Sequence, residues 1–501
     1  MSDTTTGAQG RTETAATDVA GRVEVRGIDF VPPEERHGSP RDVAWIFFSA
    51  NMLYLFFVLG GTMILLGLSL AQAIGVVVAA NLVYVLVGWL ATSGFASGTP
   101  SAVVTRAVFG IRANRVFMSG VMWVIAVVYG AINLALGALA GFALVGELGV
   151  PVNVPVQVII LLALAVATFT VCIYGHATMV RLSPAFGIVM SVVLVLLGVF
   201  VVGRADFGYS PAAPLTGSPL LAALCIGFTL IAAPAMSYVN GADFARYLPA
   251  TSSRGRVTGW TALGGMVPSV VISLLGVLAG TRIDMTDPQV SIAEIVPSWF
   301  YPLFLFVVVA GAVSNNVLLA YSAGLYQQGM GIKLSRVRSV LLIGVLITAL
   351  AAYASFATDF LVAVSNFLQF SITVLAPLMA VYATDIAVRR NRYDGLALHD
   401  ETPAGLFWYR NGINWAGVSA LLLGFLAALL CVNTTLWTAP VASALDGADL
   451  SLLAGPLVAA VTYLLLRPIA SPAGTRTPAV PVPSDARATS AQVPAEDVAG
   501  R

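Results

Sequence analysis

Of 501 residues, 58% are apolar and 10% charged, and the formal net charge is only +1. Soluble domains carry about a quarter charged residues, which excludes a soluble enzyme, a coiled coil or a disordered chain as a description of the whole molecule. At roughly 20 residues per crossing the apolar content fills at most about 14 membrane spans, and one all-α polytopic membrane domain is the simplest reading.

Residues 1–42 are polar, rich in Thr, Ala, Gly and Arg, and lack an apolar period. They are expected to form a disordered tail, without a secretory signal pattern at the start. Twelve apolar runs follow, at about 43–68, 70–91, 117–145, 155–174, 184–203, 219–241, 257–279, 300–328, 337–354, 358–385, 413–433 and 450–466. They predict a twelve-helix domain over 43–467, followed by a second disordered tail over 468–501, rich in Pro, Ala, Ser and Thr. Cys172, Cys225 and Cys431 lie singly within apolar runs, without disulfide or metal-ligand spacing. His37, His176 and His399 fall outside the long runs and read as loop residues.

Charge orders the runs. With the first tail cytoplasmic, alternate loops place 23 of the 25 Lys and Arg residues on the cytoplasmic side, leaving only Arg204 and Arg282 outside. A miscounted span would have scrambled this sorting downstream of the error. The positive-inside rule therefore supports twelve spans in a cell membrane with both ends cytoplasmic.

The span interiors hold almost no ionisable residue; Asp243, Asp359 and Asp385 lie at span ends. Membrane-buried relays for protons are usually carboxylates or histidines, so the expected permeant is neutral, or a co-ion held by oxygens. Uncharged polar residues do enter: Ser49 and Asn51 in the first run, Tyr129 and Asn133 one helical turn apart in the third. Ser314-Asn315-Asn316 lie in the eighth, and Asn366, Gln369, Ser371 and Thr373 in the tenth. A buried amide must be bonded, either to a neighbouring helix or to a ligand. In the sixth run, Ala233-Pro234-Ala235-Met236-Ser237 places a proline mid-span. Proline removes a backbone hydrogen bond, and freed backbone groups survive in lipid only where they line protein or a cavity. A kink or a broken transporter helix are both open there. The first run has no proline, and its evidence for a break is Ser49, Asn51 and the later Gly60-Gly61.

Over residues 33–434 the chain resembles the nucleobase–cation symporter family of purine–cytosine permeases. The pieces occur in family order: Glu35 to Arg41 with Trp45 and Asn51, Gly98-Thr99-Pro100 with Arg106 to Gly110, Gly241 to Pro249, Ser314-Asn315-Asn316 with Tyr321 to Leu325, Asn366-Phe367-Leu368 with Pro377 and Asp385, and Gly412 to Trp415. The resemblance implies a LeuT-like fold, an inverted repeat of five spans (43–203 and 219–385) followed by two extra helices within 413–466. Alternating access would occur around a midplane site.

It further implies import of a planar neutral nucleobase, of cytosine or purine type, probed by Tyr129 stacking on the ring and Asn133 bonding its edge. The broken sixth span would contribute Ala233, Pro234, Ala235 and Ser237, and Asn315, Asn316 and Asn51 would bond the base. That sixth-span stretch lacks an aromatic for a two-sided sandwich. A sodium co-substrate would be held by the carbonyls of Ala50, Leu53 and Ala310 and the Ser314 hydroxyl, although Val313 replaces one expected hydroxyl. No cofactor, other metal or nucleic-acid partner is implied; the lipid bilayer is the surrounding partner. Hydantoins, allantoin or a vitamin-like heterocycle present similar planar edges and form the alternative. A membrane enzyme is the reading of another class, with Asp243 and Arg246 as its nearest candidates; they read instead as a structural ion pair.

Overall fold

The computed structural model describes residues 21, 27–357 and 360–470. Among them the chain is helical, with only isolated bridges at Arg410–Ile413 and Asn433–Thr438. Nine helices are long and apolar enough to cross a bilayer, a bent helix pair forms one further crossing, and two shorter apolar helices stand near the C-terminus. In chain order the first span is Pro40–Asn51 plus Tyr54–Leu65, and the second to eighth are Leu70–Ser97, Ile111–Glu147, Val154–Tyr174, His176–Arg204, Gly217–Ala245, Arg254–Gly280 and Tyr301–Gly329. The ninth to twelfth are Arg336–Ala357, Phe360–Val388, Trp415–Leu429 and Ser451–Ala470. These elements fall on the twelve apolar runs of the sequence.

The spans differ in how far they are buried. The fourth and fifth, with mean hydropathies of 2.6 and 2.9, are only 28% buried, whereas the third, at 2.0, is 78% buried. The third span instead carries small and polar residues such as Gly130, Ala131, Asn133 and Gly137, which pack against other helices. Close packing of the first span on the seventh follows the same logic. A Cβ at Gly264 or Gly276 would collide with the carbonyls of Ala44 and Phe57, so small residues there let two backbones meet, as membrane helices require when lipid offers no hydrophobic drive.

The loops carrying most of the arginines share one face. Arg112 N–H donates to Gly412 O (2.8 Å), Arg106 and Arg115 pair with Glu401 (2.9 and 2.7 Å), and Arg254 donates to Arg390 O (2.6 Å). On the opposite face the two exceptions from the charge sorting meet: Arg282 Nε donates to Arg204 O (3.1 Å) and pairs with Asp206 (3.7 Å).

Three expectations change. Residues 27–39 are not a loose tail: Val31 is fully buried, its N–H donates to Gly98 O (2.9 Å), and His37 N–H donates to Tyr247 O (2.7 Å). Apolar Ile28, Phe30 and Val31 give this short segment something to bury, which its polar composition masked. The rest of the expected tail, 1–20 and 22–26, and all of 471–501 lie outside the described residues. His176 is not a loop residue but the buried start of the fifth span. That helix begins eight residues before its apolar run, continuing through Pro184. Finally, Gly60 and Gly61 mark packing rather than a break, lying inside Tyr54–Leu65 against Ser273 and Met285.

Candidate functional site

The first span breaks without glycine or proline. Asn51 Nδ2 donates to Phe47 O (2.8 Å) and Asn51 Oδ1 accepts from the Tyr84 hydroxyl. Met52 then leaves the helix at ψ 61°, Leu53 is extended, and the two halves are bent by 59°. A helix that ends leaves its last carbonyls unpaired. Here the eighth span supplies donors: Asn315 Nδ2 to Ala50 O (2.8 Å) and Ser314 Oγ to Ser49 O (3.4 Å). The two backbones approach closely at Gly311, where a Cβ would lie 2.5 Å from Met52 O.

The sixth span is interrupted one turn beyond its proline. The helix passes through Pro234 to Met236, and the departure falls at Tyr238, with φ −83° and ψ 38° inside a short 3-10 turn over Ser237–Asn240. Pro234 offers no N–H to the preceding turn, while Ser237 Oγ donates to Pro234 O (2.7 Å) and fixes the following one. Ala233, Pro234 and Ala235 are buried within the helix, and the Ser237 hydroxyl is spent on its own helix.

Between the two breaks the polar residues converge. Asn133 Nδ2 donates to Asn315 Oδ1 (2.6 Å), and Asn315 Nδ2 also donates to the Tyr238 hydroxyl oxygen (2.9 Å). Tyr238 packs on Phe47 (ring centroids 5.2 Å apart) and near Tyr84 (6.3 Å). Thus Asn51, Asn133 and Asn315, from the first, third and eighth spans, form one buried cluster with the sixth-span Tyr238. Asn316 faces the third span, its Nδ2 donating to Gly130 O (3.1 Å). Tyr129 stands beside the tenth span, its hydroxyl 3.4 Å from Ser371 Oγ and its ring edge-to-face with Phe367 (5.2 Å, 73°). Among the described residues, Asn133 Oδ1 and Asn316 Oδ1 are buried without a hydrogen-bond partner. Such groups cost about 1–3 kcal/mol each when left unmade, so the cluster holds unspent capacity for incoming donors.

The expected cation ligands are partly together. Ala50 and Ser314 belong to the first–eighth span contact. The Leu53 carbonyl accepts Phe56 N–H (3.1 Å), and its side chain lines an apolar cavity with Tyr54 and Phe304. Ala310 lies in the unbroken eighth helix, beside Gly311. Asn366 is turned to the outer loop, accepting from Thr435 N–H and Oγ1 (3.1 and 2.8 Å). Asp243 Oδ1 accepts Ser101 N–H (2.8 Å), and Arg246 donates to Gly27 O (2.5 Å) and Tyr321 Oη (3.0 Å). Both residues thus tie the span end to neighbouring segments. Sequence reasoning missed Tyr238 and Tyr84. Tyr238 lies one residue beyond the proline stretch, and the polar string Ser237-Tyr238-Val239-Asn240 after an apolar run was its available signal.

Residues 30–455 match the family model for permeases for cytosine/purines, uracil, thiamine and allantoin. The chain belongs to this family. A putative purine–cytosine permease of Bacillus subtilis (strain 168), YxlA, is 24% identical over 469 residues, covering 89% of this chain and 96% of the relative. Among solved structures the chain is similar to Mhp1, a nucleobase–cation–symport-1 family transporter, in a closed conformation with bromovinylhydantoin bound: TM-score 0.68, 19% identity, 89% of this chain and 95% of that one. The inward-facing conformation of Mhp1 gives a TM-score of 0.64 at 19% identity, covering 89% and 96%. A manganese transporter of Eremococcus coleocola, at 12% identity and covering 89% of this chain and all of its own, gives 0.53. The permease is therefore an all-α, multi-pass membrane transporter of LeuT-like fold.

Proposed function

We propose that this permease imports a flat, uncharged, amide-edged ring of the nucleobase type at the Asn133–Asn315–Tyr238 cluster. The observation that carries the reading is that three uncharged polar side chains from three spans meet between two helix breaks, with buried amide oxygens to spare. A neutral amide offers both donor and acceptor to a heterocycle edge, whereas no charged side chain of the cluster is available to neutralise an amino acid's ends. Tyr129 and Asn51 flank the cluster and complete the recognition set, with Asn316 on the neighbouring azimuth. Hydantoins and ureides present the same planar edges and form the second reading, favoured by the bromovinylhydantoin bound to the similar Mhp1.

The arginine-rich face is the cytoplasmic one by the positive-inside rule, and the host is the plasma membrane. The carbonyl end of the half-helix Pro40–Asn51, with its partial negative charge, lies beside the Ser314 hydroxyl. It supports a site for a sodium co-substrate. Uptake of radiolabelled cytosine, uracil, hypoxanthine and hydantoin into proteoliposomes, with and without an inward sodium gradient, tests both parts. The expected result is accumulation of at least one ring, stimulated by the gradient. Equal rates with and without it remove sodium, and absence of uptake for all four removes the substrate class.

A further inference from the structure

A second chamber lies toward the arginine-rich face. Its volume is about 140 Å³, and it is lined by His37 and Asp42 ahead of and within the first span, by His176 and Val180 of the fifth, and by Phe244 and Tyr247 at the end of the sixth. It has a direction. His37 at its mouth is exposed, whereas Ile46 and Phe244 at its inner end are 0% and 1% exposed. Beyond that end stands Phe47, edge-on to Phe244 (5.7 Å, 87°) and packed on Tyr238 (5.2 Å). The touching rings of Phe244, Phe47 and Tyr238 thus run from the chamber's lining to the central cluster.

The chamber's chemistry is that of a small-molecule site: apolar walls with a few polar groups. Cavities of roughly 150 Å³ hold one six-membered ring, and at about 140 Å³ the chamber matches a single ring. His176 stacks on Tyr247 (4.5 Å, 26°) and His37 lies on that tyrosine at 6.1 Å. Asp42 Oδ2 accepts Ser39 N–H (2.6 Å), and its other oxygen can accept a ring N–H. With His37 Nδ1 on Glu35 O (2.8 Å), its Nε2, which can serve as donor or acceptor, joins the Asp42 carboxylate in facing a heterocycle edge.

We propose that this chamber is a release-side holding site for a single-ring, uncharged heterocycle on its way from the central cluster to the cytoplasm. The proposal rests on the central-site reading above for its ligand class and direction. It adds a size selection: a pyrimidine or hydantoin pauses there, whereas a purine does not.

Saturation binding to purified full-length protein tests it, with radiolabelled cytosine, uracil and hydantoin as single-ring probes and hypoxanthine as the fused-ring probe. The expected stoichiometry is two per chain for a single-ring probe and one for hypoxanthine. Val180→Phe, which fills the chamber, is expected to bring the single-ring value to one. Ala177→Leu on the same wall is the second filling variant, and a monodisperse elution profile confirms that each has folded. Asn315→Ala is expected to remove the other molecule, leaving one. A single-ring stoichiometry of one that neither filling variant changes overturns the chamber while leaving the central site intact. Loss of one molecule in the filling variants with none lost in Asn315→Ala supports the chamber and overturns the central-site reading. Failure of every single-ring probe to bind the unaltered protein overturns both.

Discussion

At the arginine-rich end of the tenth span, Asp385 accepts from Arg389 Nε (2.8 and 3.0 Å), Tyr393 (2.9 Å) and Tyr463 (2.6 Å), while Arg389 also donates to Ala107 O and Tyr409. Between the two helix breaks, Asn133, Asn315 and Tyr238 share a few neutral hydrogen bonds, and Asn133 Oδ1 goes without a partner. Both groups are buried and polar. In the first, a charge taken out of water is matched and both carboxylate oxygens are used, which is the condition for a buried ion pair to hold. In the second, nothing is charged and capacity is left over. The first is a charged tie joining the tenth and twelfth spans; the second is a neutral cluster drawn together between two helix breaks.

The contrast can be broken from either end. The largest effect is expected from Asp385→Ala, which strands Arg389 and two phenols: about 3–5 kcal/mol of lost stability, read as a collapse of folded yield and melting temperature in detergent. Unchanged melting would mean the tie is not structural. Asn315→Ala strands Ala50 O, Tyr238 and Asn133, so it should lower stability by about 1–3 kcal/mol, less than Asp385→Ala, while transport or binding falls about ten- to a hundredfold, the equivalent of roughly 1.4–2.8 kcal/mol. Tyr129→Ala should weaken substrate binding by about 1–3 kcal/mol through lost stacking, and Tyr129→Phe should recover most of it; calorimetric titration compares the two. The smallest change is expected for Ser314→Ala, a loss of about 1 kcal/mol in apparent sodium affinity, read from the sodium dependence of uptake with substrate binding in the absence of sodium unaltered.

Much of this was legible in the sequence because the bilayer imposes simple rules. Span positions follow from apolar length, and which loops share an end from arginine counts, with Arg204 and Arg282 as neighbours at the end opposite the other arginines. The polar residues worth watching were visible because an amide in hydrocarbon stands out. What the sequence hid was local geometry. The first-span break at Met52 has no glycine or proline to announce it; it arises where Asn51 turns its side chain onto its own helix and eighth-span donors receive the freed carbonyls. The sixth-span departure falls one turn after Pro234, which brings Tyr238 rather than the proline stretch to the centre. The packed segment 27–39 was concealed by polar neighbours.

The most direct test is exchange of radiolabelled single-ring and fused-ring bases across proteoliposomes carrying either the unaltered permease or an Asn133→Ala/Asn315→Ala double variant, with both shown to be folded by their melting curves. The account predicts saturable exchange of at least one base by the first and background rates from the second. Equal exchange by the two proteins would contradict it.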